Sequence, residues 1–221
     1  MRKAVVLLSG GLDSATCLYW CIQKGLKPLC LLFDYGQKHR KEIQSAVRLC
    51  KKTGSPCEIV KFSLPWGGSA LVDKGASLPQ GRNLRQIASG IPPTYVPARN
   101  TIFLSFALSY ADTIGAGSIV IGANAVDFSG YPDCRPSYME AMRKVAHLGT
   151  KSGAEGKKIK ILSPLIKMSK AEIIRLGLKL KVPYELTWSC YRGGSKPCGR
   201  CDSCILREKG FRKAGRAEHF S

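Results

Sequence analysis

Val5-Val6-Leu7-Leu8-Ser9-Gly10-Gly11-Leu12-Asp13-Ser14-Ala15-Thr16 passes from an apolar run through paired glycines into a stretch of helical period. A buried strand that turns directly into a helix aims unpaired backbone N–H groups and the positive end of the helix dipole at one spot. That spot suits an anion. Paired glycines let the backbone approach phosphate oxygens closely, and the Ser9 and Ser14 hydroxyls add neutral donors. Asp13 would repel a phosphate unless it caps the helix, meets Mg²⁺, or does both. A bare turn would also use glycine for its dihedrals and Ser or Asp as a cap. The stretch lacks both the Gly-Lys-Ser/Thr ending of a P-loop and the G-x-G-x-x-G of dinucleotide folds.

Outward from this junction, apolar runs rich in Val, Ile and Leu keep alternating with helical periods, which is the pattern of a parallel sheet with crossover helices. The expected class is α/β, a doubly wound, mostly parallel sheet. Strands are expected at 4–8, 29–33, 58–62, 118–122 and 160–162, each apolar enough to be covered on both faces. Helices are expected at 13–25, 38–53, 99–115, 135–148 and 169–179, the last opened by the capping box Ser169-Lys170-Ala171-Glu172. Residues 63–94 carry so many Gly and Pro breakers that they read as a long surface loop or lid, and 149–156 as a shorter loop. The chain after Cys204 reads as a basic, partly frayed end.

A chain of 221 residues suits one domain with a small appendage. The division expected is 1–185 for the sheet domain and 186–221 for a C-terminal segment. No apolar run approaches the roughly 20 residues that span a bilayer, and the run before Ser9 is too short for a signal-peptide core, so a cytoplasmic protein is expected. With 35 Lys and Arg against 15 Asp and Glu, the formal charge is +20. The excess is spread along the chain, which favours a solvated basic surface over a dedicated tRNA-binding face, while leaving a nucleic-acid partner open.

Of ten cysteines, Cys17, Cys21, Cys30, Cys50, Cys57 and Cys134 are dispersed and read as small buried hydrophobes. Cys190, Cys198, Cys201 and Cys204 crowd into a C-x7-C-x2-C-x2-C segment whose Gly193-Gly194, Pro197 and Gly199 permit tight turns. Four thiolates so spaced suit one structural Zn²⁺; an iron–sulfur cluster and a redox dithiol are the rivals.

Two further segments look functional. Tyr95-Val96-Pro97-Ala98-Arg99-Asn100 leads into a helix and places Arg99 where its fork can hold a carboxylate, a phosphate or a purine edge. Asp127-Phe128-Ser129-Gly130-Tyr131-Pro132-Asp133-Cys134-Arg135 follows the strand at 118–122, on the side of the sheet where open α/β folds bind ligands. Asp127 and Asp133 can accept from the amidine-like edge of a guanine, and Phe128 and Tyr131 can stack on a flat base. An ordinary irregular loop that caps the next helix explains the same composition.

Ser9-Gly10-Gly11-Leu12-Asp13-Ser14 resembles the pyrophosphate loop of the ATP pyrophosphatases, which split ATP between its α and β phosphates. The loop, the 95–100 and 127–135 segments and the cysteine spacing together resemble the QueC family of queuosine biosynthesis, from Val5 to about Gly215. Ala98 departs from the family, whose members carry Gly there. The resemblance implies a Rossmann-like fold of the adenine nucleotide alpha hydrolase type. It also implies an ATP-dependent ligase that converts 7-carboxy-7-deazaguanine and ammonia into the nitrile preQ0 through adenylated acid and adenylated amide. ATP with Mg²⁺ would be held by Leu8, Ser9, Gly10, Gly11, Leu12, Asp13, Ser14, Ala15 and Thr16. Catalysis would fall to Lys170, Arg99 and Asp13, with Lys167 the alternative lysine. The deazaguanine would meet Arg99, Asn100, Asp127, Phe128, Tyr131, Asp133 and Arg135, and Zn²⁺ the four clustered cysteines. A homodimer is a family expectation. The competing readings are a tRNA-modifying adenylating enzyme, of thiolase or lysidine-ligase type, and a non-enzymatic zinc-ribbon nucleic-acid binder.

Overall fold

A computed structural model describes residues 2–73, 75–125 and 130–217. Its sheet is built from β1 (Lys3–Leu7), β2 (Lys27–Asp34), β3 (Cys57–Lys61), β4 (Ser118–Val120) and β5 (Lys160–Leu162). All are parallel, in the order β3-β2-β1-β4-β5, with Val5 opposite Leu29 on one side and Ile119 on the other. The helices are α1 (Leu12–Gln23), α2 (Lys41–Thr53), α3 (Leu84–Ala88), α4 (Arg99–Ile114), α5 (Pro136–Leu148), α6 (Lys151–Ala154), α7 (Lys170–Lys179) and α8 (Asp202–Lys213). None is long and apolar enough to cross a membrane.

Alternate residues of the central strand feed opposite faces. Val5 and Leu7 pack with Leu104 and Leu108 of α4 and Met139 of α5, while Ala4 and Val6 pack with Leu18 of α1, Leu49 of α2 and Ile173 and Ile174 of α7. Each fully buried Leu or Ile contributes about 1.5–3 kcal/mol, more than the ~1 kcal/mol of a helix cap. Burial on two faces therefore sets the strand register, and a slip by one residue would exchange the two cores. The doubly wound parallel sheet is as expected.

Three expectations need correction. The edge strand β3 is not covered on both faces: Glu58 is exposed and Ile59 is 41% exposed. Residues 63–94 and 149–156 are not wholly irregular. The first holds α3, opened by a capping box between Asn83 and Gln86, and the second holds α6, capped by the Thr150 hydroxyl. From Cys204 to Lys213 the chain is not frayed but continues α8, whose Phe211 joins the core shared by α1, α2 and α7, while the end of that expected tail, 218–221, lies outside the described residues. Sequence reading missed α8 because its inward face is filled by Cys204, Arg207 and Gly210 beside Phe211 rather than by an apolar stripe.

Two backbone positions carry conformational demands. Gly10 has φ +85°, and a Cβ there would lie 2.1 Å from the Glu42 carbonyl oxygen and 2.7 Å from the Ala46 nitrogen in α2. Ala98, at the N-cap of α4, has φ 51° and ψ 25°, the left-handed conformation that suits glycine. Ala98→Gly is expected to stabilise the protein by about 0.5–1 kcal/mol, because relief of left-handed strain exceeds the added chain entropy of the unfolded state. That should appear as a Tm raised by about 1–4 °C in thermal unfolding. Gly10→Ala should do the reverse, losing about 2–5 kcal/mol to the combined clash and strain, a Tm lowered by at least about 5 °C.

Candidate active site

The order of the strands reverses between β1 and β4, and the crevice beyond their carboxyl ends is the place where open α/β sheets take ligands. Here Gly122, just after β4, is pressed against the loop after β1: a Cβ on it would lie 3.1 Å from the Ser14 nitrogen. The loop is thus wedged between Gly122 and α2. Ser9 and Ser14 are tied hydroxyl to hydroxyl at 3.1 Å, and the Ser14 hydroxyl donates to the Gly11 carbonyl at 3.1 Å. Leu8, Ser9, Gly11, Leu12, Asp13 and Ser14 line a cavity of about 300 Å³. Gly10 contributes the close approach instead, and Ala15 and Thr16 lie buried beneath the loop. The Thr16 hydroxyl is engaged by the Leu12 carbonyl and by Tyr184.

Asp13 does not cap α1. The N-cap is Gly11, which makes no side-chain cap bond, and Asp13 instead receives Lys170 Nζ at 2.8 and 2.6 Å. Lys170, the first residue of α7, also lines the cavity, whereas Lys167 is exposed outside it. The capping box expected at Ser169 and Glu172 is present and fixes the start of α7. A helix start so fixed holds Lys170 beside the loop.

Arg99 and Asn100, in the first turn of α4, both face the cavity. Arg99 donates to the Tyr35 hydroxyl at 3.2 Å and lies 5.9 Å from the Phe103 ring centre. Burial opposes its charge, but the Tyr35 and Tyr131 hydroxyls and Glu42 outweigh that, so the guanidinium is held above its ordinary pKa. Tyr131 lines the cavity with its ring 5.7 Å from that of Tyr95. Asp133 and Arg135 are placed differently. Asp133 is buried and accepts the Asn100 backbone N–H at 2.9 Å, serving the amino end of α4 from another segment, and Arg135 is exposed at the N-cap of α5. Neither lines the cavity. Asp127 and Phe128 lie outside the described residues.

Sequence reading missed the wall opposite. Tyr35, Gln37, His39 and Glu42, which follow β2, line the cavity, as do Trp188, Ser189, Tyr191 and Arg207 of the C-terminal segment. The signal available was position: Asp34-Tyr35-Gly36-Gln37 leaves the carboxyl end of a strand beside β1, as the loop after β1 does. Glu42 is pushed up to about 7 by burial, against the pull of the Arg99 charge. Trp188 ties its segment to the loop after β1, donating its backbone N–H to the Gly10 carbonyl at 2.9 Å. Arg207 is buried, and its guanidinium donates to the Thr187 hydroxyl at 2.7 Å, the Ser189 hydroxyl at 3.0 Å and the Tyr184 carbonyl at 3.0 Å.

Next to this wall the sulfurs of Cys190, Cys198, Cys201 and Cys204 all lie within 4.8 Å of one another. Backbone N–H groups point at them: Arg192 and Cys198 donate to Cys190 Sγ at 3.5 and 3.3 Å, and Cys201 donates to Cys198 Sγ at 3.4 Å. Hydrogen bonds from the Cys201 and Cys204 thiols hold Cys190 far below its ordinary pKa. Sulfurs so crowded and so met by donors fit a metal ion held by thiolates.

A family model described as queuosine biosynthesis protein QueC matches residues 3–215. The chain is 56% identical over 215 residues to a protein of Nostoc punctiforme named 7-cyano-7-deazaguanine synthase, covering 96% of each. It is 54% identical over 214 residues to a protein of Thermoplasma acidophilum with the same name, covering 97% of this chain and 89% of that one. Among solved structures, an NMN synthetase from Francisella tularensis aligns at TM-score 0.52 and 17% identity, over 99% of this chain and 79% of its own, a likeness of fold alone. With the loop, the crevice and the four-sulfur cluster in place, this chain belongs to the QueC family.

Proposed function

We propose that the protein is a 7-cyano-7-deazaguanine synthase, an ATP-dependent ligase that turns 7-carboxy-7-deazaguanine and ammonia into the nitrile in the cytoplasm. The observation that carries this reading is the Ser9–Ser14 loop at the strand-order reversal, facing Arg99 across one cavity. A tRNA-modifying adenylating enzyme is not favoured, since relatives matching over nearly the whole chain carry the synthase name.

Oxygen must leave one carbon twice on the way from acid to nitrile, and hydroxide is a poor leaving group. Transfer of AMP to the carboxylate, and then to the amide oxygen, converts each oxygen into a phosphate ester that departs readily. The residues' work is positional and electrostatic. Backbone N–H groups of the loop and the Ser9 and Ser14 hydroxyls receive the pyrophosphate, and Lys170 offsets the charge that grows as the α–β bond breaks. Mg²⁺ arriving with ATP would neutralise phosphate charge beside Asp13. Arg99 is the group for the substrate carboxylate, with Asn100 beside it, and Tyr131 offers a face to the ring; Asp127 and Phe128 remain proposed readers of the heterocycle. Zn²⁺ at the four cysteines is structural, holding the segment from which Trp188 and Tyr191 reach the cavity.

Purified protein given 7-carboxy-7-deazaguanine, ammonium and Mg-ATP should yield the nitrile with two AMP per product, followed by mass spectrometry. Absence of both AMP and nitrile overturns the reading. Metal analysis should return one zinc per chain in a colourless preparation, and a visible iron–sulfur absorption would overturn the zinc assignment. Cys201→Ser is expected to lose the metal and to lower the Tm by about 10 °C or more, because metal binding to thiolates is coupled to folding.

A further inference from the structure

Glu42 sits in the first turn of α2, half-buried, with its side chain on the cavity wall. Its backbone is held where α2 packs on the loop after β1: a Cβ on Gly10 would lie 2.1 Å from the Glu42 carbonyl oxygen. Asp13 and Glu42 are the two carboxylates lining the cavity among the described residues, and Asp13 is already paired with Lys170. The Glu42 carboxylate has neither a hydrogen bond nor an ion pair there. A partly desolvated carboxylate without a partner is costly, and such a cost is expected to be offset when a ligand arrives. Tyr35 and Tyr191 line the same cavity, and aromatic faces favour a small cation over an anion.

Arg99 faces the same carboxylate from α4 without closing an ion pair. Once Arg99 binds the substrate's carboxylate, Glu42 is left with an unmatched negative charge. Ammonium matches that charge in sign. We propose that Glu42 is the ammonium site of the enzyme and the group that takes the proton which must leave nitrogen before carbon is attacked. This rests on the synthase reading above. Ammonium gives one proton to the carboxylate and becomes ammonia. The nitrogen lone pair then forms the C–N bond at the adenylated acid, the C–O bond to AMP breaks with its electrons on the phosphate oxygen, and the amine's surplus proton passes to AMP or water. Glu42 then returns its proton to water; at the second stage the adenylated amide loses both N–H protons as the C–O bond breaks with its electrons on the phosphate oxygen and the nitrile forms, one proton passing to Glu42 and the other to AMP or water.

Hydroxylamine separates this role from substrate binding, because it is already neutral at pH 7 and attacks an acyl adenylate without prior loss of a proton. Wild type and Glu42→Gln would each receive the acid and Mg-ATP with either ammonium or hydroxylamine, and amide, nitrile, hydroxamate and pyrophosphate would be measured. The expected result for Glu42→Gln is amide and nitrile formation lowered by about 100-fold or more, with hydroxamate formation within about fivefold of wild type. Glu42→Asp, which keeps the charge on a shorter arm, should recover at least about tenfold of the lost amination; if the Gln variant does not fold, this variant carries the test through an ammonium KM raised without a matching loss of hydroxamate. Equal loss with both nucleophiles overturns the proposal, as does undiminished amination. Wild-type protein that releases no pyrophosphate with either nucleophile overturns the synthase reading itself.

Discussion

The packing of the Gly10 backbone against the backbone of α2, with no room for a side chain, is the contact on which the rest of the site depends. It confines the loop after β1 from one side while Gly122 confines it from the other, which holds the loop at the mouth of the crevice. The same contact sets the amino end of α2 and with it Glu42. On its remaining side the Gly10 carbonyl is held by Trp188. One residue without a Cβ thus joins a strand-to-helix turn, a crossover helix and the segment of the cysteine cluster. Backbone-to-backbone contacts of this kind are stiff, since neither partner can change rotamer, and stiffness is what positional catalysis requires.

The electrostatics of the cavity follow from that frame. Lys38, Arg99, Lys170 and Arg207 line it against Asp13 and Glu42, so the wall carries an excess of positive charge before any ligand enters. On the proposed reading ATP and a carboxylate substrate would bring negative charge, and the formal +20 of the whole chain would add a long-range attraction for both. Arg207 is spent internally on Thr187, Ser189 and Tyr184, and it supports the wall rather than a ligand. Arg99 differs in kind. Among the described residues its one hydrogen bond is to a neutral phenol, which leaves most of its fork open to the substrate carboxylate proposed for it.

Period and composition made the sheet legible, because β1 from Ala4 to Leu7 and β4 are buried on both faces and are apolar there apart from Ser118. The loop after β1 was legible for a local reason: strand, glycines and helix start are consecutive in the chain. The Tyr35–Glu42 wall was not, since only the strand order brings the start of α2 beside the start of α4. Asp133 shows the converse. Its residue type suited a purine reader, yet three-dimensional neighbourhood assigns its carboxylate to the Asn100 backbone N–H. The α3 capping box Asn83-Leu84-Arg85-Gln86 was visible in the chain, but the surrounding Gly and Pro outweighed it.

The four-sulfur cluster reaches the cavity by two routes. On one side Trp188 and Tyr191 flank Cys190 in sequence and line the cavity. On the other, the 63–94 segment is fastened to the cluster: Gln80 bridges to Cys201, the Gly81 N–H donates to the Arg200 carbonyl at 2.9 Å, and Arg82 pairs with the fully buried Asp202. An uncompensated Asp202 would cost about 3–5 kcal/mol, enough to keep Arg82 in place. That segment then runs into Thr94 and Tyr95, which hold Tyr131, and on to Ala98 at the start of α4. A metal that gathers the four sulfurs therefore orders the two covers of the cavity together, and the Arg99 end of the site is as dependent on it as the Trp188 end.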